Sequence, residues 1–257
     1  MSQKDNLSAF PALYHIHNSR DAEDVPFWLR LAIRQGDPIL ELGCGTGRVL
    51  VPLAEAGYLV YGIDNDEDML AYLRNHMPMK LEPRIHLSQE DLCEFRLERD
   101  FPLILLPCNT YTTFSAEQRH RVLLNVRQHL RQNGLFAVSM PNPDYLKKLP
   151  KYSDPDIEDF FPHPLDGEPV QVSSAWRCTA SQVIIDWYYD HLLSDGAVER
   201  LSYQVIQNII LMDQLEGEFR SAKLTITERY GDFEGSQIDQ DSTYLILIAS
   251  KDSANFL

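Results

Sequence analysis

The chain has 257 residues and an apolar fraction of 44%, which suits one large domain or one domain carrying an insertion. Its formal net charge of −15 argues against a nucleic-acid partner, which would need Lys and Arg clustered on one face, and no basic run is longer than Lys147-Lys148. The apolar stretches 101–108 and 205–212 are too short to cross a bilayer, and the start MSQKDNLSAF has no basic region followed by an apolar one, so a cytoplasmic protein without membrane contact is expected.

From residue 37 short apolar runs alternate with amphipathic stretches, the pattern of strands and helices wound around a parallel sheet. PILELG (38–43) reads as a first strand, GRVLVPLAEAG (47–57) as a helix closed by Gly57, and LVYGID (59–64) as a second strand. DEDMLAYLRNHM (66–77) reads as a helix whose Asp66, Glu67 and Asp68 favour the positive end of its dipole. RIHLSQED (84–91) and FPLILLPCN (101–109) read as a third and fourth strand, and residues 115–130 as a helix capped by Ser115. Asn133-Gly134 supplies a stop before a fifth strand, LFAVSMPNP (135–143).

The rhythm then changes. Residues 148–165 are rich in Pro, Asp and aromatics, and 169–212 form long β-type runs, with Ser194-Asp195-Gly196 as a hairpin turn. After a helical segment (213–224), LTITERYGDF and TYLILIAS return the chain to the parent sheet as a terminal pair. The expected fold is α/β, a Rossmann-like doubly wound sheet of about seven strands with the last antiparallel. Its domain comprises residues 1–147 and 213–257, with 1–36 as an N-terminal helical lid, and an antiparallel β insertion at 148–212 caps the active site.

Residues 39–48, ILELGCGTGR, place Gly43, Gly45 and Gly47 directly after the first strand. Glycine belongs there where φ is positive or where a backbone must approach a ligand. The spacing G-x-G-x-G is shorter than the G-x-G-x-x-G of dinucleotide loops, and Glu41, two residues before Gly43, suits a ligand carrying positive charge. Asp64, closing the second strand, can accept from both hydroxyls of a ribose. Asp91 can accept from the exocyclic amine of a base, and Asn109 closes the fourth strand at the same carboxyl edge.

ELGCGTGR, GID at 62–64, QED at 89–91 and LPCNTYTTF resemble the class I S-adenosylmethionine-dependent methyltransferases, in their small-molecule branch. YHIHNSRDAEDVPFW is similar to that branch's N-terminal lid, and YGDFEGSQIDQDSTYLILIASK to its last two strands. The resemblance implies S-adenosyl-L-methionine as cofactor, with Gly43, Gly45 and Gly47 against its amino-acid part, Glu41 beside them, Asp64 on the ribose, and Asp91 with Leu92 on the adenine. Asn109 would lie near the sulfonium and the acceptor, and Tyr14 and Arg48 near the cofactor carboxylate.

The implied reaction is in-line methyl transfer to a nitrogen or oxygen of a small polar metabolite. No P-P-Y follows Asn109, which with the charge speaks against nucleic acid. A module that binds S-adenosylmethionine or S-adenosylhomocysteine without turnover, and an aminopropyl transferase, are the alternatives; NTYTTF lacks the acids that a polyamine would need. The catalytic group is unknown, with Asn109, Tyr14 and His163 as candidates, His15 and His17 as further bases, and homodimer formation left open. Trp187 and Tyr189 share a strand face and Tyr188 the other, so these rings and Tyr203 are packing first and an acceptor cage second. Cys44, Cys93, Cys108 and Cys178 are scattered without a C-x-x-C pair, so reduced thiols and no metal site are expected.

Overall fold

The structure, a computed structural model, describes residues 3–20 and 22–252. In chain order the elements are α1 (Gln3–Ser19), α2 (Val25–Gln35), β1 (Ile39–Leu42), α3 (Leu50–Glu55), β2 (Val60–Asp64), α4 (Glu67–His76), β3 (Ile85–Gln89), β4 (Phe101–Leu106), α5 (Thr110–Thr113), α6 (Ala116–His129) and β5 (Leu130–Pro141). They continue with α7 (Pro143–Leu146), β6 (Asp156–Pro162), β7 (Pro169–Cys178), β8 (Gln182–Leu192), β9 (Val198–Asn208), α8 (Met212–Ser221), β10 (Leu224–Tyr230) and β11 (Tyr244–Lys251). Contacts divide the chain into two compact units, residues 23–147 with 210–257, and residues 1–22 with 148–209. Residues 1–22, grouped by sequence with the Rossmann-like domain, thus cluster with the insertion.

The larger unit is a seven-stranded sheet in the order β10-β11-β5-β4-β1-β2-β3. β1 to β5 are mutually parallel, and β11 runs antiparallel to both β5 and β10. The sheet is buried on both faces, so its central strands are almost entirely apolar, as in the fully buried ILEL, where Glu41 is the exception, and FPLILL. Alternation sends Leu40 and Leu42 into one core with Phe136, Val126 and Phe219, and Ile39 into the other with Trp28, Leu50 and Leu73. Glu41 therefore shares the second face, which is otherwise apolar.

Local signals explain the helix starts. Asp66 accepts from the N–H groups of Asp68 and Met69 at the start of α4, and Ser115 forms a capping box with Gln118 at the start of α6. The helix expected from 47 begins only at Leu50, because residues 44–47 are spent on a turn in which Gly47 N–H donates to the Cys44 carbonyl. Asn133-Gly134 does not stop the helix as expected. β5 begins at Leu130, and the pair lies within it where the register with β4 jumps from Phe101–Leu130 to Leu103–Leu135. A Cβ on Gly134 would stand 3.0 Å from the carbonyl oxygens of Phe101 and Pro102, so this glycine permits a backbone approach.

The smaller unit is an antiparallel sheet in the order β6-β7-β8-β9. The Ser194-Asp195-Gly196 turn joins β8 to β9 as expected, and β6 occupies part of the Pro-rich segment that carried no strand signal. Helix α1 contacts β6 and β9. Ala9 and Leu13 pack with Phe161, Val170, Val172 and Tyr189 in a core of the unit's own. No helix among the described residues is long and apolar enough to cross a membrane.

One buried polar link ties α8 to the segment after β4. The Arg119 guanidinium donates to both oxygens of Glu218, at 2.6 and 2.9 Å for the shortest contact to each, and Tyr111 O–H donates to Glu218 at 2.7 Å. The Arg119 side chain is 7% exposed, so Glu218→Ala strands a charge inside the fold and should cost about 3–5 kcal/mol in urea unfolding. Glu94→Ala, which breaks the solvent-exposed pair with Arg121, should leave the midpoint of the same urea transition nearly unchanged.

Candidate active site

Parallel strands bring the turns after β1, β2, β3 and β4 to one edge of the larger sheet, the edge where open α/β sheets bind ligands. Named hydrogen bonds join these turns. Gly43 and Cys44 N–H donate to the Ile63 carbonyl, and Gly45 N–H donates to Asp64 Oδ2 at 2.7 Å. Glu90 N–H donates to the Asp64 carbonyl, and Gln89 to the Asn65 carbonyl, so the end of β2 is tied to both neighbours.

The three glycines all have positive φ, at 69°, 50° and 87°, and differ in what fills the space beside them. A Cβ on Gly47 would meet Leu73 Cδ1 at 2.5 Å and Val51 Cγ2 at 3.1 Å, so Gly47 serves packing of α3 and α4. A Cβ on Gly43 would meet Thr110 at 3.3 Å. Beside Gly45 the nearest atom is Asp64 Oδ2, at 3.9 Å. Of the three glycines, Gly45 has the most open side.

Asp64 is half-buried at the end of β2, and its Oδ1 accepts from Asp66 N–H at 3.0 Å. Burial lifts its carboxyl above the ordinary range, against the N–H groups of Asp66 and Gly45. Glu41 is fully enclosed and its Oε2 has no hydrogen-bond partner. Burial raises the Glu41 carboxyl well above the usual value; Arg48 opposes the shift, while Asp24 and Asp64 add to it.

Arg48, expected near a ligand carboxylate, is engaged by protein groups. Its guanidinium forks onto both oxygens of Asp24, and its Nη2 also donates to Cys108 Sγ at 2.6 Å. Asp24 also accepts from Trp28 Nε1–H at 2.8 Å. Burial pushes Asp24 up, but the hydrogen bond and charge of Arg48 outweigh it and hold the carboxyl below its ordinary value. Sequence reading missed Asp24; its place before the apolar Val-Pro-Phe-Trp run marks a helix start, which accounts for its location but not for its pairing with Arg48.

Asn109 is half-buried, and both it and Cys108 adopt φ of 63°, two consecutive left-handed residues without glycine. Such strain persists only where the surroundings impose it. Here Cys108 N–H donates to Ser139 Oγ at 3.2 Å, while the Asn109 carbonyl accepts from Thr112 N–H and Oγ1–H. Asp91 is exposed with Oδ1 accepting from Cys93 N–H, and Leu92 beside it is buried.

Glu41, the glycine turn, Arg48, Asp64, Asp91, Leu92 and Asn109 thus belong to one unit, whereas Tyr14 and His163 belong to the other. In that unit Tyr14 is half-buried on α1, its ring 5.8 Å from that of Phe10, and His17 Nδ1 lies 3.0 Å from Tyr189 O–H. Tyr189 is core, 1% exposed, and Tyr188 lies on the opposite sheet face under Arg200. Against the expectation of no metal-ligand set, His163, Asp166 and His191 bring their ligand atoms within 4.8 Å of one another.

Glu41 makes stability depend on pH in a defined direction. The folded chain holds the Glu41 proton in a range where the unfolded chain, with its ordinary value of 4.5, has released it. Stability therefore falls as pH rises above the unfolded value, toward the folded one. Glu41→Gln should raise the thermal midpoint of the protein without added ligand at neutral pH, and the gain should vanish below pH 4.5 in melts across a pH series.

Residues 39–134 match the model of the methyltransferase domain. A putative methyltransferase of Geobacillus sp. (strain WCH70) is 24% identical over 229 residues, 85% of this chain and 86% of that protein. The crystal structure of an S-adenosylmethionine-dependent methyltransferase from Clostridium acetobutylicum shares the fold with a TM-score of 0.78 at 15% identity, covering 95% of this chain and 99% of that one. The S-adenosylmethionine-bound structure of CalS10, an amino pentose methyltransferase from Micromonospora echinaspora, has a TM-score of 0.70 at 16% identity over 92% of this chain and 94% of its own. Residues 39–134 thus match a methyltransferase domain, and the chain has the fold of the class I S-adenosylmethionine-dependent methyltransferases, with S-adenosylmethionine as the expected cofactor.

Proposed function

We propose that the protein moves the methyl group of S-adenosylmethionine to a nitrogen or oxygen of a small polar metabolite, at the edge formed by the turns after β1 to β4. The observation that carries this reading is the open side of Gly45 beside Asp64, together with the partnerless Oε2 of Glu41. These features fit the cofactor: the turn leaves room for its backbone-hugging part, and a buried acid lacking a donor suits a ligand that is cationic and rich in N–H and O–H groups. When bound, the cofactor supplies a methyl group already activated on a sulfonium, so the protein's work is alignment and exclusion of water.

In this reading Gly43 and Gly45 take the amino-acid part, with Glu41 accepting from its ammonium. Asp64 keeps lone pairs for the ribose hydroxyls after receiving Gly45 and Asp66 N–H. Asp91 Oδ2 and the Leu92 backbone take the adenine, and Asn109 faces the sulfonium and acceptor. Arg48 acts through Cys108 by steadying the strained pair at 108–109. A small acceptor is supported by the net charge of −15, which repels phosphate chains, and by likeness in fold to an amino pentose methyltransferase. The chain enters residues 148–209 after β5 and α7, and this unit is the proposed source of acceptor selection, with Tyr14 and His163 as its candidate acceptor-side groups.

Calorimetry with S-adenosylmethionine and S-adenosylhomocysteine tests the cofactor assignments. Asp64→Ala should lose about 1–3 kcal/mol of binding, and Gly45→Ala should lose affinity while remaining folded. Gly47→Ala should instead lose stability, because its Cβ would enter the Leu73 side chain. Unchanged affinity in both Asp64→Ala and Gly45→Ala overturns the site. Incubation with a metabolite extract should yield a species one methyl heavier, detected by mass; a blank across amines, hydroxy compounds and acids favours a binding module without turnover.

A further inference from the structure

The turn from β6 to β7, HPLDGE at 163–168, reverses tightly: His163 N–H donates to the Glu168 carbonyl and Gly167 N–H to the His163 carbonyl, with Gly167 at φ 80°. This folding carries Asp166 back over His163 and against His191 on β8. His163 Nδ1 and His191 Nε2 stand 3.3 and 3.2 Å from the same atom, Asp166 Oδ1. The two imidazole side chains are 4% and 7% exposed, whereas Asp166 is 42% exposed and faces solvent. Glu199 lies directly across from His191 in the β8–β9 pairing and adds its negative field at His163.

Hydrogen bonding alone serves these groups poorly. Leu165 N–H also points at His163 Nδ1, at 3.4 Å, so that nitrogen has two polar neighbours, both at long range. Asp166 Oδ1 already accepts from Glu168 N–H at 3.1 Å. An imidazolium–carboxylate bond would close to about 2.7–2.9 Å, shorter than either contact here. Two protonated imidazoles stacked at 4.0 Å would also repel each other. A divalent ion removes each difficulty, since it turns lone pairs and carboxylate into ligands.

We propose that His163 Nδ1, His191 Nε2 and Asp166 Oδ1 form a binding site for a zinc-type divalent cation that pins the β6–β7 turn to β8. The donor set of two imidazoles and one carboxylate is that of a borderline ion, not of magnesium or calcium, which take oxygen ligands. The spacing fits as well: ligands about 2.0–2.1 Å from a tetrahedral ion stand about 3.3 Å from one another, as the nitrogen–oxygen pairs do here. The exposed side of Asp166 leaves the fourth position to water. Because the rings lie within 13° of parallel, one of them tilts as both lone pairs turn to the same ion.

The test uses the full chain stripped with a chelator and dialysed. Titration with zinc chloride by calorimetry should show one saturable equivalent per chain, and cobalt chloride should give the visible absorption bands of a tetrahedral nitrogen–oxygen site. Zinc should raise the thermal midpoint of the parent. His191→Ala and Asp166→Asn should each weaken zinc binding at least ten-fold and abolish the thermal gain; Asp166 is exposed, so Asp166→Asn keeps the fold intact and the test decisive. A stripped parent without saturable zinc binding overturns the site, as does an affinity equal to the parent's in both variants.

Discussion

The hydrogen bond from Gly45 N–H to Asp64 Oδ2 is the contact on which the rest of the site depends. It holds a turn of positive-φ residues, which has no regular ladder of its own, against the end of the neighbouring strand. Parallel pairing of β1 with β2 sets the two chain segments side by side, and the 2.7 Å bond fixes how far the glycine turn stands from the carboxylate. Asp64 passes the constraint on, since its carbonyl receives Glu90 N–H and so orients the segment that carries Asp91 and Leu92. Three turns are thus aligned by one residue.

The electrostatics of this edge follow from what is buried there. Glu41 feels the charges of Arg48, Asp24 and Asp64, and Arg48 is committed to Asp24 by a forked pair. That pairing leaves the buried Oε2 of Glu41 without a donor, a costly arrangement for a charge and a tolerable one for a protonated acid. An acid-rich edge whose nearest guanidinium is paired with Asp24 attracts a positively charged ligand, in agreement with a sulfonium cofactor. Arg48 also reaches Cys108, so the same guanidinium that neutralises Asp24 steadies the strained residues leading to Asn109.

The smaller unit is built differently. Its core is aromatic and aliphatic, with α1 laid on an antiparallel sheet through Ala9, Leu13 and Tyr189, and its polar groups pair within the unit, as Arg20 does with Asp159 and Arg200 with Asp190. An antiparallel sheet needs cover on one face only, and α1 provides it, which is why residues from the chain start cluster with strands far along the sequence.

Much of the larger unit was legible from sequence because its signals are local. Positive-φ glycines after an apolar run, the Ser115 capping box, the Asp66 cap and the period of the strands depend on neighbours a few residues away. The same locality located Glu41, Asp64, Asp91 and Asn109 at strand ends, and with them the cofactor class. What lay beyond the sequence is contact between residues distant along the chain. Asp24 meets Arg48 over 24 positions, Glu218 meets Arg119 over 99, and His191 meets Asp166 over 25. The jump in register at Asn133-Gly134 was misread because it answers to the backbone of β4 and not to its own neighbours. The sequence by itself determined the strand and helix rhythm, the glycine turn and the acids at strand ends, each written in nearest-neighbour chemistry; tertiary structure alone decided which glycine is packing and which is open, which acid lacks a donor and which histidines meet, because those depend on what the fold brings alongside.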